Sequence, residues 1–267
     1  MKPYPPPDLP PGSRTLALSP YGNVVMIDDK WELQYWDLRS EGNGRAPRSL
    51  GVDCSGWDRE FKDGKFNNVE FNSDGNILLV YSEDVVGFLA IPSKNAPDGS
   101  FDSSMMAINP CPFCELLSDN DVVRDGSVKV LKVAFHPMSS YHVVILLSNN
   151  TLLLTDTLSD VSREFQLNHS VLSSPVKQPR GAITGGAGSR FVSFCFGSDY
   201  DWMKLAVLLL TADGQVFYLC PLLPCGAVVP KSTVDALYAW AETEAAPKGT
   251  SNATAAYMNK EIRRYLD

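Results

Sequence analysis

The feature that most limits what this chain can fold into is a pattern of strands and turns that occurs four times. Each copy runs a short strand into a tight turn, then an apolar run, then a polar turn and a further strand. The first copy takes residues 16–23, 24–27 and 31–38, around Asp28-Asp29-Lys30. The second takes residues 69–76, 77–81 and 85–91. The third takes residues 133–137, 143–147 and 151–155, around Ser148-Asn149-Asn150. The fourth takes residues 194–198, 205–210 and 215–219, around Ala212-Asp213-Gly214. The residues entering the first turn of each copy, Leu18, Phe71, Phe135 and Phe196, are spaced by 53, 64 and 61 positions. Periods of this order, with several strands in each, are the signature of a β-propeller.

The copies agree chemically as well as in rhythm. Pro20-Tyr21-Gly22, Asp74-Gly75 and Asp213-Gly214 supply the positive-φ positions that tight hairpins need. The central runs VVMI, ILLVY, VVILL and LAVLLL are apolar without alternation, as a strand buried on both faces must be. The strand that follows alternates and is expected nearer the outside. Trp36-Asp37 closes the first copy with the dipeptide that marks such blades. The expected fold is all-β, a WD40-like β-propeller with about four blades, followed by a short helical hairpin. Four blades either close around a narrow centre or form part of a larger ring, since closure is what removes exposed strand edges.

The expected domains are a Pro-rich N-terminal tail over 1–13, propeller blades over 14–230 and a helical segment over 231–267. Residues 40–48, 93–104 and 169–189 read as loop excursions. In the helical segment Ser232-Thr233-Val234-Asp235 has the form of a capping box, with Leu237, Tyr238 and Ala241 on one face. Pro247-Lys248-Gly249 ends that helix. Residues 255–266 form a second, with Met258, Ile262, Tyr265 and Leu266 on its apolar side.

Charge then narrows the function. The chain has 267 residues, with 23 Lys and Arg against 31 Asp and Glu, a formal charge of -8. Phosphate contacts need clustered Lys and Arg, so direct nucleic-acid binding is not expected. Neither is attraction to an anionic membrane surface. The longest apolar run, residues 205–210, is far short of the roughly 18 residues that span a bilayer, so no membrane insertion is expected. Met1-Lys2-Pro3-Tyr4-Pro5-Pro6-Pro7 lacks the apolar core of a secretory signal. The cysteines at 54, 111, 114, 195, 220 and 225 are accordingly expected to be reduced.

Candidate chemistry is thin. Cys111-Pro112-Phe113-Cys114 has redox spacing, but such a motif works at a helix N-terminus within a βαβ unit, and strands surround it here. Joining it to Cys220 and Cys225 as a zinc site meets a poor ligand spacing. His136, in a Phe-His-Pro turn, His142 and His169 have no evident catalytic partner. Residues 181–188, GAITGGAG, lack the Lys-Ser/Thr ending of a phosphate loop. Asp119, Asp121 and Asp125 miss the calcium-loop spacing. Pro7-Asp8-Leu9-Pro10 matches a Pro-x-x-Pro ligand but reads as plain tail. The expectation is no catalytic, cofactor-binding or metal residue and no enzyme activity. The expected partner-binding residues are Tyr200, Asp201 and Trp202, because Trp and Tyr dominate interface energetics. The alternative for Trp202 is packing under its own blade.

Three stretches carry a family likeness. Residues 130–158, VLKVAFHPMSSYHVVILLSNNTLLLTDTL, run an apolar strand through a Phe-x-Pro turn into a second strand pair. Residues 194–202, FCFGSDYDW, precede another strand. Residues 209–224, LLTADGQVFYLCPLLP, lead into the helical segment. Together they resemble the N-terminal propeller of the nucleoporin 82/88 family, with about 100 residues matching well and the rest in rhythm. The resemblance implies a structural nucleoporin at the cytoplasmic face of the nuclear pore complex, in the nuclear envelope. It implies a propeller that docks the C-terminal domain of 98/116-type nucleoporins and the helical tail of 159/214-type nucleoporins, and so supports mRNA export and nucleocytoplasmic transport. The family propeller has about seven blades, so this chain covers part of it. The alternative reading is a WD40-type interaction platform of another multiprotein assembly.

Overall fold

The computed structural model describes residues 15–20, 23–27, 33–37, 48–50, 52–53, 68–91, 111–117, 126–159, 162–167, 189–198 and 201–245. The Pro-rich tail, most of the three loop excursions, the GAITGGAG stretch, the Asp119 to Asp125 cluster, His169 and the second expected helix lie outside the described residues. The chain divides into two compact units, Met1–Gly126 and Ser127–Asp267.

Among the described residues the first unit holds two sheets. One is an antiparallel meander of β1 (Thr15–Leu18), β2 (Asn23–Ile27), β3 (Leu33–Asp37) and β4 (Arg48–Leu50), in that order. Val24, Val25 and Met26 are buried, as the unalternating VVMI run requires. The other sheet is built from β5 (Val52–Asp53), β6 (Asn68–Phe71), β7 (Ile77–Tyr81), β8 (Val86–Ala90) and β9 (Cys111–Glu115). Its order is β5-β9-β8-β7-β6. β5 pairs parallel to β9, with Val52 opposite Cys111, so the tail of the first copy finishes the sheet of the second. The Asp74-Gly75 turn has Gly75 at φ 64°, where a Cβ is disfavoured. Fully buried Asn72 closes that turn, its Oδ1 accepting from the N–H groups of Asn76 (3.0 Å) and Ile77 (3.1 Å).

The second unit holds the other two copies. β10 (Val130–Phe135), β11 (His142–Leu147), β12 (Thr151–Asp156) and β13 (Ser162–Gln166) form a four-stranded antiparallel sheet in sequence order. β14 (Phe191–Phe196), β15 (Val207–Thr211) and β16 (Val216–Leu219) form a three-stranded one. A 3-10 turn, Asp201–Leu205, joins β14 to β15. After β16 the chain passes a cis Cys220-Pro221 bond and enters helix α1 (Lys231–Ala245). The sheets enclose an apolar cluster of Val144, Leu146, Leu152, Leu154, Phe191, Phe194, Leu209, Phe217 and neighbours. Phe191 and Phe217 meet edge to face at 5.8 Å.

Two expectations fail here. β12 does not alternate: Thr151 to Thr155 are all buried. The alternation comes one strand later, on β13, which takes the outer edge and leaves β12 an interior strand. Nor does Ser232 cap the helix. Lys231 is already helical, and the Pro230 carbonyl accepts from the N–H groups of Thr233 (2.9 Å) and Val234 (3.2 Å). The carbonyl just ahead of a helix opens its hydrogen-bond ladder, so Pro230 holds the capping position. Asp235 pairs instead with Lys231 at 3.7 Å, both exposed. His142 is the first residue of β11.

Candidate functional site

The turn ahead of β15 is shaped by Gly197. Its N–H donates to the Ala206 carbonyl at 2.9 Å, and the Ala206 N–H donates to the Met203 carbonyl at 3.0 Å. A Cβ at position 197 would lie 2.0 Å from the Met203 oxygen. Any side chain there collides with the backbone of the 3-10 turn, so glycine lets the turn fold back on the end of β14. Of the three expected partner-binding residues, Asp201 and Trp202 open this turn. Tyr200 lies outside the described residues.

The turn is anchored from below. Its last residue, Leu205, and Ala206 belong to a second apolar cluster with Cys220, Leu223 and Leu237. Met138, Tyr218, Val229, Val234 and Tyr238 pack around it. The Leu222 N–H donates to the Leu205 carbonyl at 2.8 Å.

His136 is the residue that sequence reasoning undervalued. It is buried in the turn after β10. Its Nδ1 accepts from the Met138 N–H at 3.1 Å, which assigns the ring proton to Nε2. Nε2 then donates to the Leu222 carbonyl at 2.9 Å. The ring also meets Phe196 edge-on at 5.2 Å. Burial pushes its pKa down to about 4, against the Leu222 carbonyl, which favours the charged form, with a smaller lowering from His142. Next to it, Arg163 Nη1 donates to the Leu223 carbonyl at 3.3 Å, its guanidinium over Phe165. The Phe-His-Pro triplet was the one local signal of this arrangement.

The remaining groups are arranged for structure. The Ser139 hydroxyl lies 2.8 Å from His142 Nδ1 and accepts from the Tyr141 N–H. Burial lowers the His142 pKa, partly offset by Asp156. Cys111 and Cys114 lie in strand β9, not at the helix N-terminus that activates such a motif. Cys220 is buried, and burial pushes its thiol up to about 12. Among the described residues no group of three or more His, Cys, Asp or Glu could hold a metal ion. None of the described helices is long and apolar enough to cross a membrane.

No protein-family model matches the chain. The nuclear pore complex protein NUP88 of Arabidopsis thaliana is 29% identical over 128 residues, 48% of this chain and 15% of that protein. Nucleoporin nup82 of Schizosaccharomyces pombe is 22% identical over 230 residues, 82% of this chain and 23% of that protein. Over these stretches the chain is similar in sequence to the Nup82 and Nup88 nucleoporins. Among solved structures, the Nup82 N-terminal domain of Chaetomium thermophilum, in a heterotrimer with the Nup159 tail and the Nup145N APD, superposes with a TM-score of 0.62. The match has 16% identity and covers 96% of this chain and 52% of that one. The yeast Nup82-Nup159-Nup116 complex gives a TM-score of 0.53 at 16% identity, over 93% of this chain and 53% of its counterpart. These likenesses show the fold of the Nup82-like chain: a β-propeller, of which it spans about half the length of the solved domains. It spans less than a quarter of the two curated relatives.

Proposed function

We propose that this Nup82-like chain is a structural, non-enzymatic scaffold nucleoporin of the cytoplasmic face of the nuclear pore complex. Its propeller docks other nucleoporins, a 98/116-type C-terminal domain and a 159/214-type helical tail, and so supports mRNA export and nucleocytoplasmic transport. One observation carries the reading: 96% of the chain superposes on a Nup82 domain that was solved holding two nucleoporin segments. Charge of the same sign as phosphate supports a protein partner over nucleic acid. In this reading residues 14–230 are the blades, 1–13 a tail and 231–267 a helical segment. Tyr200, Asp201 and Trp202 are the contact residues in this reading, and the last two begin the turn that Gly197 shapes.

Affinity capture from cell extract at physiological salt, with mass-spectrometric identification, tests this. Recovery of cytoplasmic-face nucleoporins, reduced by Trp202→Ala with circular dichroism unchanged, is the expected result. Recovery of a different stable assembly contradicts the pore assignment and leaves the propeller standing.

A further inference from the structure

The second unit contains two apolar groupings, and the chain crosses from one to the other between Leu222 and Leu223. The Leu222 side chain packs with the sheet core; Leu223 packs with Leu205, Ala206, Cys220 and Leu237. At this crossing two consecutive carbonyls are pinned from outside the segment, Leu222 by His136 Nε2 and Leu223 by Arg163 Nη1. Beyond it the segment turns on itself. The Ala227 N–H donates to the Pro224 carbonyl, and those of Thr233 and Val234 donate to the Pro230 carbonyl. Cys225, Gly226 and Val228 are exposed. Helix α1 then lies on the second grouping through buried Leu237, with Val234 and Tyr238 half covered.

We propose that residues 224–245 form a releasable strap: they lift from the second grouping as one unit, hinged at the pinned Leu222-Leu223 pair, while both sheets of the unit stay folded. Among the described side chains the helix is seated by buried Leu237 and Thr233, with Val234 and Tyr238 half covered, and a helix held by so few side chains opens at lower free energy than strands packed in a core. Opening uncovers Cys220 and Tyr218 and, with them, Leu205, the last residue of the 3-10 turn. Cys220 therefore reports the motion. It is 2% exposed in the closed form, whereas Cys114, Cys195 and Cys225 are exposed.

The test is maleimide labelling of the full chain, resolved by peptide mass spectrometry over time. The exposed cysteines label at once and Cys220 slowly. Leu237→Ala is expected to speed Cys220 labelling about tenfold or more, as loss of a buried leucine from the strap allows. Val144→Ala weakens the sheet core, to which Val144 belongs, and is expected to leave that rate within about twofold, because Val144 is not part of the second grouping. Equal acceleration by both variants, tracking the global unfolding rate, overturns the proposal. A wild-type measurement stands beside these in case Leu237→Ala does not accumulate as folded protein. Cys220 labelling with a shallow urea dependence, well below the unfolding midpoint, supports the strap; a dependence as steep as global unfolding overturns it.

Discussion

The Nε2 of His136 lies 2.9 Å from the carbonyl oxygen of Leu222, a residue 86 positions further along the chain. One buried imidazole thus ties the turn after β10 to the segment that follows β16. Because Nδ1 already accepts a backbone N–H, the ring has room for one proton only. A second proton would set two donors face to face.

Stability is therefore expected to depend on pH through His136. In the folded chain the ring stays neutral down to about pH 4, whereas unfolded histidine titrates at its ordinary value of 6.5. Between those values the unfolded chain binds more protons, so the contribution is complete above pH 6.5 and is lost as pH falls towards 4. Its size is about 3 kcal/mol. The lowered pKa of His142 acts in the same direction. Urea unfolding at pH 7.5 and pH 5 is expected to show a lower midpoint at pH 5, and His136→Gln is expected to flatten that difference. An unchanged midpoint in the wild type contradicts the neutral-ring assignment.

Gly197→Ala and Gly214→Ala separate two kinds of glycine requirement. At Gly197 the new methyl meets the Met203 carbonyl at 2.0 Å, so the turn must move, at a cost of at least about 2 kcal/mol. At Gly214 nothing lies within 4 Å, and only the left-handed backbone, φ 83°, opposes the change, by about 1 kcal/mol. Denaturant midpoints are expected to rank wild type above G214A and G214A above G197A. The reverse order would mean that the 3-10 turn is not held as described.

Asn150 combines backbone and side-chain roles. Its φ is 64°, and its Oδ1 accepts from the Phe191 N–H at 2.9 Å, joining the β11–β12 turn to the start of β14. Asn150→Gly keeps the conformation and loses the bond, for about 1 kcal/mol. Asn150→Ala loses both and costs about 2 kcal/mol. Equal losses in equilibrium unfolding would show that the backbone conformation contributes nothing.

How much of this is legible in sequence depends on how local each cause is. Burial on both faces forces runs such as VVILL, and Asp-Gly at a hairpin forces positive φ, so the blade rhythm can be read directly. β12 misleads because its burial depends on β13 covering it. The parallel pairing of Val52 with Cys111 has no local mark at all. Ser232-x-x-Asp235 imitates a capping box, but the Pro230 carbonyl two residues earlier opens the helix. At the candidate site the Asp201-Trp202 segment stands out by composition. Gly197 and His136, which hold its surroundings in place, act on atoms six and eighty-six residues away and carry only the faintest local sign.

The central claim, that this propeller is a nucleoporin docking platform, is tested most directly by reconstitution. The full chain is mixed with a purified 98/116-type C-terminal domain and a 159/214-type helical tail, and the mixture is followed by size-exclusion chromatography with light scattering. The account predicts a co-eluting complex whose mass includes the chain and at least one partner, and which Trp202→Ala weakens. Separate elution of all three components, from a chain whose circular dichroism shows folded sheet, would contradict it.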